Sequence, residues 1–158
     1  MNFDKAFDQL ISHEGGYVFD PRDPGGETKF GISKRSYPTV DIRALTLADA
    51  KALYRRDYWD RAQCDKLPPD LAFDVFDAAV NSGIGQAIRW LQRAVGVADD
   101  GRVGPLTLAA IQREADTSAI RARFSGHRLE FMTRLSTFEV FGKGWSRRIA
   151  ANLQQVGI

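Results

Sequence analysis

The sequence predicts a mainly α-helical protein with a small β-hairpin near its N-terminus. Apolar residues recur at helical spacing through most of the chain after residue 46, as expected for amphipathic helices. The segment of residues 17–33 lacks this spacing and carries D-P and G-G turn signals. A chain of 158 residues is also long enough to bury a core without disulfides or metals.

The first helix is predicted over residues 2–13, where four apolar residues recur at helical spacing: Phe3, Phe7, Leu10 and Ile11. Gly15 and Gly16 follow this pattern and are expected to end the helix. Further along, residues 28–33 are predicted to form a short strand that belongs to the hairpin.

Six more helices are predicted after the hairpin. Thr46 is a good N-cap, and Asp49 three residues later makes the pattern close to a capping box. Pro105 suits a first helical position, whereas Gly142 and Gly144 are expected to break the chain before the last helix. The predicted helices cover residues 47–62, 69–82, 84–95, 105–114, 117–135 and 145–156.

A turn at Asp99-Asp100-Gly101 is the best candidate boundary within the chain. It predicts a larger lobe of residues 1–96 and a smaller helical lobe of residues 97–158, which we expect to pack into one compact body. The sequence contains no internal repeat and no low-complexity segment that would suggest a further division.

The charges of the sequence are unevenly distributed. Residues 1–120 carry 15 Lys and Arg against 18 Asp and Glu, whereas residues 121–158 carry 7 against 2. A basic C-terminal end favours anionic partners such as nucleic acid, anionic lipid or an anionic cell wall. A solvated helix face explains the same charge equally well.

Several features bear on the cellular compartment. The single cysteine, Cys64, excludes an intramolecular disulfide and suits a protein made in a reducing compartment. The first residues do not combine a basic region with a following apolar run, so we expect no signal peptide. No apolar run approaches the roughly 18 residues that span a bilayer.

The chemistry of the sequence is concentrated around Glu14, which follows an apolar helix face. Apolar surroundings disfavour a charged carboxylate and raise its pKa, so Glu14 could donate a proton near neutral pH. Asp20 and Asp23 follow on a turning loop, and two facing carboxyl groups are the common arrangement for glycoside cleavage. Thr28 offers a hydroxyl for the attacking water. The alternative is a solvated glutamate followed by ordinary turn residues.

A long motif resembles a known family. The run EGGYVFDPRDPGGETKFGIS matches every fixed position of the pattern E-G-G-Y-x-x-D-P-x-D-P-G-G-x-T-x-x-G-I, from Glu14 to Ile32. This pattern is typical of glycoside hydrolase family 108 N-acetylmuramidases, found among phage endolysins and related bacterial proteins. Further similar segments are YWDRA, FDAAVNSG, LQRAVGVADDGRVGPLTLAAI and GWSRRI, of which the last two resemble the start and end of the family's C-terminal predicted peptidoglycan-binding region.

The resemblance implies a lysozyme-like helical fold whose catalytic region is residues 1–96, with Glu14 as the essential acid. It implies cleavage of the β-1,4 bond between N-acetylmuramic acid and N-acetylglucosamine. Asp23 lies nine positions after Glu14, as in phage lysozymes, and Thr28 lies fourteen after it, one short of their pattern. By this analogy Asp23 and Thr28 share the second catalytic role, with Asp20 as a rival; a single glutamate also suffices in some muramidases.

The same resemblance bears on partners and location. It implies peptidoglycan as the partner, a monomer, no nucleic acid, and neither metal nor organic cofactor. The basic C-terminal helices could also contact anionic envelope components. We expect synthesis in the cytoplasm without a signal peptide and action in the periplasm or cell wall after release, through a holin if the chain is of phage type.

Four residues are predicted to bind the substrate. Tyr17, Tyr58 and Trp59 could stack on sugar rings, although aromatic residues at helical spacing more often pack in a core. Asn81 could hydrogen-bond an acetamido or hydroxyl group of the sugar, and its alternative is a role at the end of a helix.

The pattern D-G-x-x-G-x-x-T is formed by Asp100, Gly101, Gly104 and Thr107. Turn chemistry alone accounts for the first residues of this pattern. A peptidoglycan-binding role is the second interpretation, and it rests on the resemblance.

Two rival functions remain open at this point. One is a non-catalytic cell-wall binding module on the same fold. The other is a zinc amidase or peptidase that cuts peptide stems, which the presence of only two histidines, His13 and His127, makes the weakest interpretation.

Overall fold

The computed structural model describes residues 1–12, 16–21 and 25–155. These residues form a mainly α-helical protein with one small three-stranded antiparallel sheet near the N-terminus, which confirms the predicted fold class. The helices are α1 (Phe3–Ile11), α2 (Leu47–Tyr54), α3 (Pro69–Ser82), α4 (Ile84–Ala94), α5 (Pro105–Arg113), α6 (Thr117–Thr133) and α7 (Phe138–Leu153). In the described residues, no helix is long and apolar enough to cross a membrane.

The chain divides into two compact units, Met1–Asp60 and Arg61–Ile158. The first unit contains α1, the sheet and α2, and the second contains α3 to α7. The predicted boundary at residue 96 lies inside the second unit, between α4 and α5. The division into a catalytic region of residues 1–96 and a C-terminal lobe of residues 97–158 stays a prediction.

An aromatic cluster forms the core of the first unit. The amide N–H of Lys5 donates to the Asn2 side chain, which caps the start of α1. Phe3 and Phe7 are buried on one face of α1. Their rings pack against Trp59 at 5.4 Å and Tyr54 at 5.7 Å between centroids. The apolar spacing of the first helix therefore corresponds to a real core-facing stripe.

The capping box predicted before α2 is present. The amide of Asp49 donates to the Thr46 hydroxyl oxygen at 3.1 Å, and the amide of Thr46 donates to the Asp49 carboxylate at 3.1 Å. The predicted continuous helix over residues 47–62 is wrong in its last part, because α2 ends at Tyr54 and continues as a π-helical turn, Arg55–Trp59. A π turn adds a residue to the helical repeat and so changes which side chains face the core.

The sheet has the order β1-β2-β3, with β1 at Val18–Phe19, β2 at Glu27–Lys29 and β3 at Ile32–Ser33. The predicted strand over residues 28–33 is therefore two strands joined by a two-residue turn. Phe30 and Gly31 both have positive φ angles, 51° and 74°. This combination is the one that matches the twist of a two-residue hairpin, and phenylalanine gives little sequence signal for it.

Helix α3 is the centre of the second unit, since it packs against α4 and α6, and α6 in turn packs against α7. Pro69 occupies its first turn, where the missing N–H is tolerated. Gly83 separates α3 from α4 with a φ of 87°, a conformation that favours glycine.

Helix α7 differs from the prediction. Gly142 and Gly144 were expected to break the chain, but α7 runs continuously through both of them. Gly142 is buried, and a Cβ atom at this position would lie 2.6 Å from the Phe138 ring. The residue is therefore a packing glycine that lets the ring lie against the helix, and it does not act as a helix breaker.

Replacing Gly142 with alanine should destabilise the protein by about 1–3 kcal/mol, the usual cost of overpacking. The matched control is Gly144→Ala on the same helix, where an added Cβ would meet no atom within 4 Å. That control should be neutral or stabilising by up to about 1 kcal/mol, because alanine is the better helix former. Denaturant unfolding of both variants measures the difference, and equal midpoints would contradict the packing role.

Candidate active site

The predicted acid Glu14 and its predicted partner Asp23 both lie outside the described residues. The structure does describe their neighbours along the chain. Tyr17 is three residues after Glu14, so chain geometry limits the distance between their Cα atoms to about 11 Å. Among the predicted site residues that the structure describes, Tyr17 is therefore the nearest in sequence to the predicted acid.

Tyr17 is held by two charged side chains. Its hydroxyl donates to Glu27 Oε1 at 2.8 Å and accepts from Arg43 Nη2 at 3.5 Å. The Arg43 guanidinium also stacks over the Tyr17 ring at 5.3 Å from its centroid, within the range of a cation–π contact. Sequence reasoning singled out Tyr17 but missed Glu27 and Arg43, which are separated from it by 10 and 26 positions.

Thr28 is the middle residue of β2 and is half-buried. It pairs with Val18 on one side and with Ser33 on the other, so these three side chains share one face of the sheet. Glu27 precedes Thr28 on the strand and therefore points to the opposite face. The strand gives Thr28 a fixed direction, which a residue that orients water requires.

The two aromatic residues of the π-helical turn have different environments. Trp59 is only 1% exposed and packs edge-on against Phe3, which argues against stacking on a sugar ring. Tyr58 is half-buried, and its ring lies 5.6 Å from that of Tyr54. The substrate-binding role of Tyr58 stays a prediction.

Asn81 lies in the last turn of α3, and its side-chain N–H donates to the carbonyl oxygen of Asp77 at 2.7 Å. This bond holds the side chain on the preceding helical turn, whereas the C-cap predicted as the alternative role of Asn81 is formed by Gly83. The residue is exposed, and its contact with a sugar stays a prediction.

The D-G-x-x-G-x-x-T pattern folds around a buried glutamine in the second unit. Gln92 is 2% exposed, and its side-chain nitrogen donates to Asp100 Oδ1 at 2.7 Å and to Thr107 Oγ1 at 3.2 Å. Its side-chain oxygen accepts from the amide of Gly101 at 2.9 Å. This network gives three of the four members of the pattern a structural task and favours the turn interpretation.

Sequence analysis missed Gln92, although a signal was present. It lies four residues after Ile88 on the apolar face of α4, where a polar residue must be paired when it is buried. Hydrogen bonds from Gln92 and from the amide of Arg102 lower the pKa of Asp100. The carboxylate is thus kept charged at the centre of the turn.

Gln92→Leu should cost about 2–4 kcal/mol in the free energy of unfolding, because it leaves several turn groups without partners. Thermal unfolding measures the loss. Gln112→Leu on the exposed surface of α5 is the matched control and should change stability by less than about 0.5 kcal/mol. A loss of similar size in both variants would contradict the structural role of Gln92.

A network of buried ion pairs joins α3 to the C-terminal helices. Arg121 on α6 donates to Asp74 Oδ2 at 2.6 Å, and both side chains are 4% exposed. Asp77 accepts from Arg128 Nη1 and from Arg148 Nε, each at 2.6 Å. Three of the basic C-terminal side chains are therefore paired with two acidic side chains of α3.

The energetics of this network are mixed. Burial raises the pKa of Asp74 to about 6, and Arg121 opposes this rise. The ion pair therefore offsets only part of the cost of removing the carboxylate from water. The main effect of the network is therefore to fix the positions of the helices, and its net contribution to the free energy of unfolding is small.

Two family profiles match adjacent parts of the chain. Residues 7–83 match the family described as Glycosyl hydrolase 108, and residues 86–150 match the family described as Predicted Peptidoglycan domain. The chain belongs to the glycosyl hydrolase 108 family. It is a glycoside hydrolase that acts on peptidoglycan, and its site of action is the cell wall.

A solved structure agrees with this assignment. This structure, described as "Structure of Brucella abortus SagA", is 36% identical to the chain in sequence. The match covers 97% of this chain and 92% of that one, with a TM-score of 0.86. No curated protein matches the sequence.

The predicted site residues all lie within the glycosyl hydrolase region, whereas the Gln92 network lies within the second region. The two regions meet at the turn between α3 and α4, upstream of the boundary predicted at residue 96. The basic residues of α6 that pair with Asp74 and Asp77 therefore link the two family regions within the second compact unit.

Proposed function

We propose that the protein is an N-acetylmuramidase, which hydrolyses the β-1,4 bond between N-acetylmuramic acid and N-acetylglucosamine. The observation that carries the proposal is the unbroken motif from Glu14 to Ile32, which begins three positions after the last residue of α1 in the sequence and includes the strands β1 and β2. Support comes from the Tyr17 contacts, since an ordered aromatic residue three positions after Glu14 suits a sugar-binding cleft.

In the proposed mechanism, Glu14 donates a proton to the leaving glycosidic oxygen. Asp23, with Thr28, positions the attacking water or stabilises the positive charge that develops on the sugar. Asp20 is the rival for this second role. A separation of about 6.5–9.5 Å between the two carboxyl groups would predict inversion, whereas about 5–5.5 Å would predict retention.

Release of reducing sugars from purified sacculi tests this proposal against its rivals. The muramidase should release them at the same rate with and without a chelator, because no step in its mechanism uses a metal. Activity lost on chelation, with free amino groups in place of reducing ends, would indicate the zinc amidase. Binding to sacculi without any product would indicate the non-catalytic module.

We also propose that exposed basic residues on α7 draw the enzyme to anionic envelope components. Lys143 and Arg147 are exposed, whereas the neighbouring Arg148 is bound to Asp77 and is a poor choice for a test. Lys143→Glu combined with Arg147→Glu should slow lysis of whole cells several-fold at low salt but leave hydrolysis of isolated peptidoglycan unchanged. Equal loss on both substrates would contradict this role.

A further inference from the structure

Arg43 stands out in the first unit because its backbone is fixed while its charged group is exposed. Ile42 and Leu45, on either side of it, are buried at 0% and 5% exposure. The amide of Ala44 donates to the Asp41 carboxylate at 3.1 Å, which closes a local turn around Arg43. A long side chain on such a turn is presented to solvent from a defined point.

Two lysines of the sheet region attach this turn to the sheet. Lys29 on β2 donates to the carbonyl oxygen of Arg43 at 2.9 Å, and Lys34 donates to that of Val40 at 2.8 Å. Through these bonds the two lysines hold the backbone of the turn. The Arg43 side chain stays exposed on this turn, as does that of Asp41.

The guanidinium itself is oriented by Tyr17. It lies over the ring and donates to the Tyr17 hydroxyl, which in turn donates to Glu27. A guanidinium has five N–H donors in a planar fork, and within the described chain Arg43 uses one of them, on Tyr17. The remaining donors can bind a planar acceptor with two oxygens, and a carboxylate has that geometry.

We infer that Arg43 binds a carboxylate of peptidoglycan next to the glycan chain that Tyr17 contacts. The inference rests on the proposed function and deepens it by naming the group that this edge of the site recognises. Peptidoglycan offers carboxylates from two sources, the peptide stem and the lactyl group of muramic acid once its stem is removed. A glycan without such groups, such as chitin, lacks the ligand.

Binding to sacculi in the Glu14→Gln background tests the inference without turnover. Arg43→Ala should bind intact sacculi about tenfold more weakly, the effect expected when a charge-assisted bidentate contact is lost. Arg113→Ala removes one exposed positive charge from α5 and should bind like its parent. Thermal unfolding of both variants should match the parent.

Chemically altered sacculi identify the ligand. When the carboxylates are converted to methylamides, the parent and Arg43→Ala should bind equally. On glycan stripped of stems by an amidase, a persisting tenfold difference assigns the lactyl carboxylate, and a lost difference assigns the stem. Unchanged binding of Arg43→Ala to intact sacculi, or the same weakening on methylamidated sacculi, would overturn the inference. Failure of the muramidase proposal would appear separately, as absence of new reducing ends with wild-type protein.

Discussion

Glu14→Gln should lower the rate of peptidoglycan hydrolysis by about 10²–10⁴-fold, the range expected when a general acid is lost. Glutamine keeps the shape of the side chain but cannot give a proton to the leaving oxygen. Binding to sacculi and the thermal unfolding midpoint should stay close to those of the wild type. Release of reducing ends from purified sacculi is the measurement.

The matched control for this substitution is Glu139→Gln, which alters an exposed glutamate on α7. This variant should hydrolyse peptidoglycan at the wild-type rate. The pH dependence provides a second test. If Glu14 is the acid, the wild-type rate should fall as the pH rises through the pKa of its carboxyl group, because the ionised form has no proton to donate. A Glu14→Gln variant that retains near-wild-type activity would remove Glu14 from the mechanism.

Asp77→Asn should destabilise the protein by about 3–5 kcal/mol, because removing one charge of a buried ion pair leaves the other uncompensated. Asp77 is 2% exposed and accepts hydrogen bonds from Arg128, Arg148 and the Asn152 amide. It thus joins α3 to both α6 and α7. Denaturant unfolding measures the loss.

Asp70→Asn on the same helix is the control, since Asp70 is exposed and its loss should cost at most about 1 kcal/mol. A second variant tests the cause. If the cost of Asp77→Asn comes from the uncompensated guanidinium, Arg128→Gln should lower the stability of the Asp77→Asn variant much less than it lowers the stability of the wild type. Strictly additive losses would show that the two side chains are not coupled.

The sequence predicted the helical architecture well where apolar spacing and capping agree. The start of α2 shows why, since Thr46 and Asp49 fix a local hydrogen-bond pattern that needs no tertiary contact. The errors arose where a side-chain contact that residue type does not reveal decides the outcome. Gly142 lies within α7 and leaves room for the Phe138 ring, whereas a glycine taken alone predicts a helix break.

The candidate site shows the same limit. The motif identified Tyr17 and Thr28, but it could not identify Arg43, which reaches Tyr17 across 26 positions. The C-terminal charge was also overestimated as a surface property. Arg121 and Arg128 carry much of it, and they are buried against acids 47 and 51 positions earlier. Summed charge along a sequence does not reveal such pairing.

The identity of the sugar at the new reducing ends tests the central claim most directly. Sacculi are digested with wild-type protein, the products are reduced with borohydride, and the reduced sugars are identified by mass spectrometry. A muramidase leaves N-acetylmuramic acid at each reducing end, so the account predicts reduced muramic acid. Reduced glucosamine, or cleaved peptide stems with no new reducing ends, would contradict it.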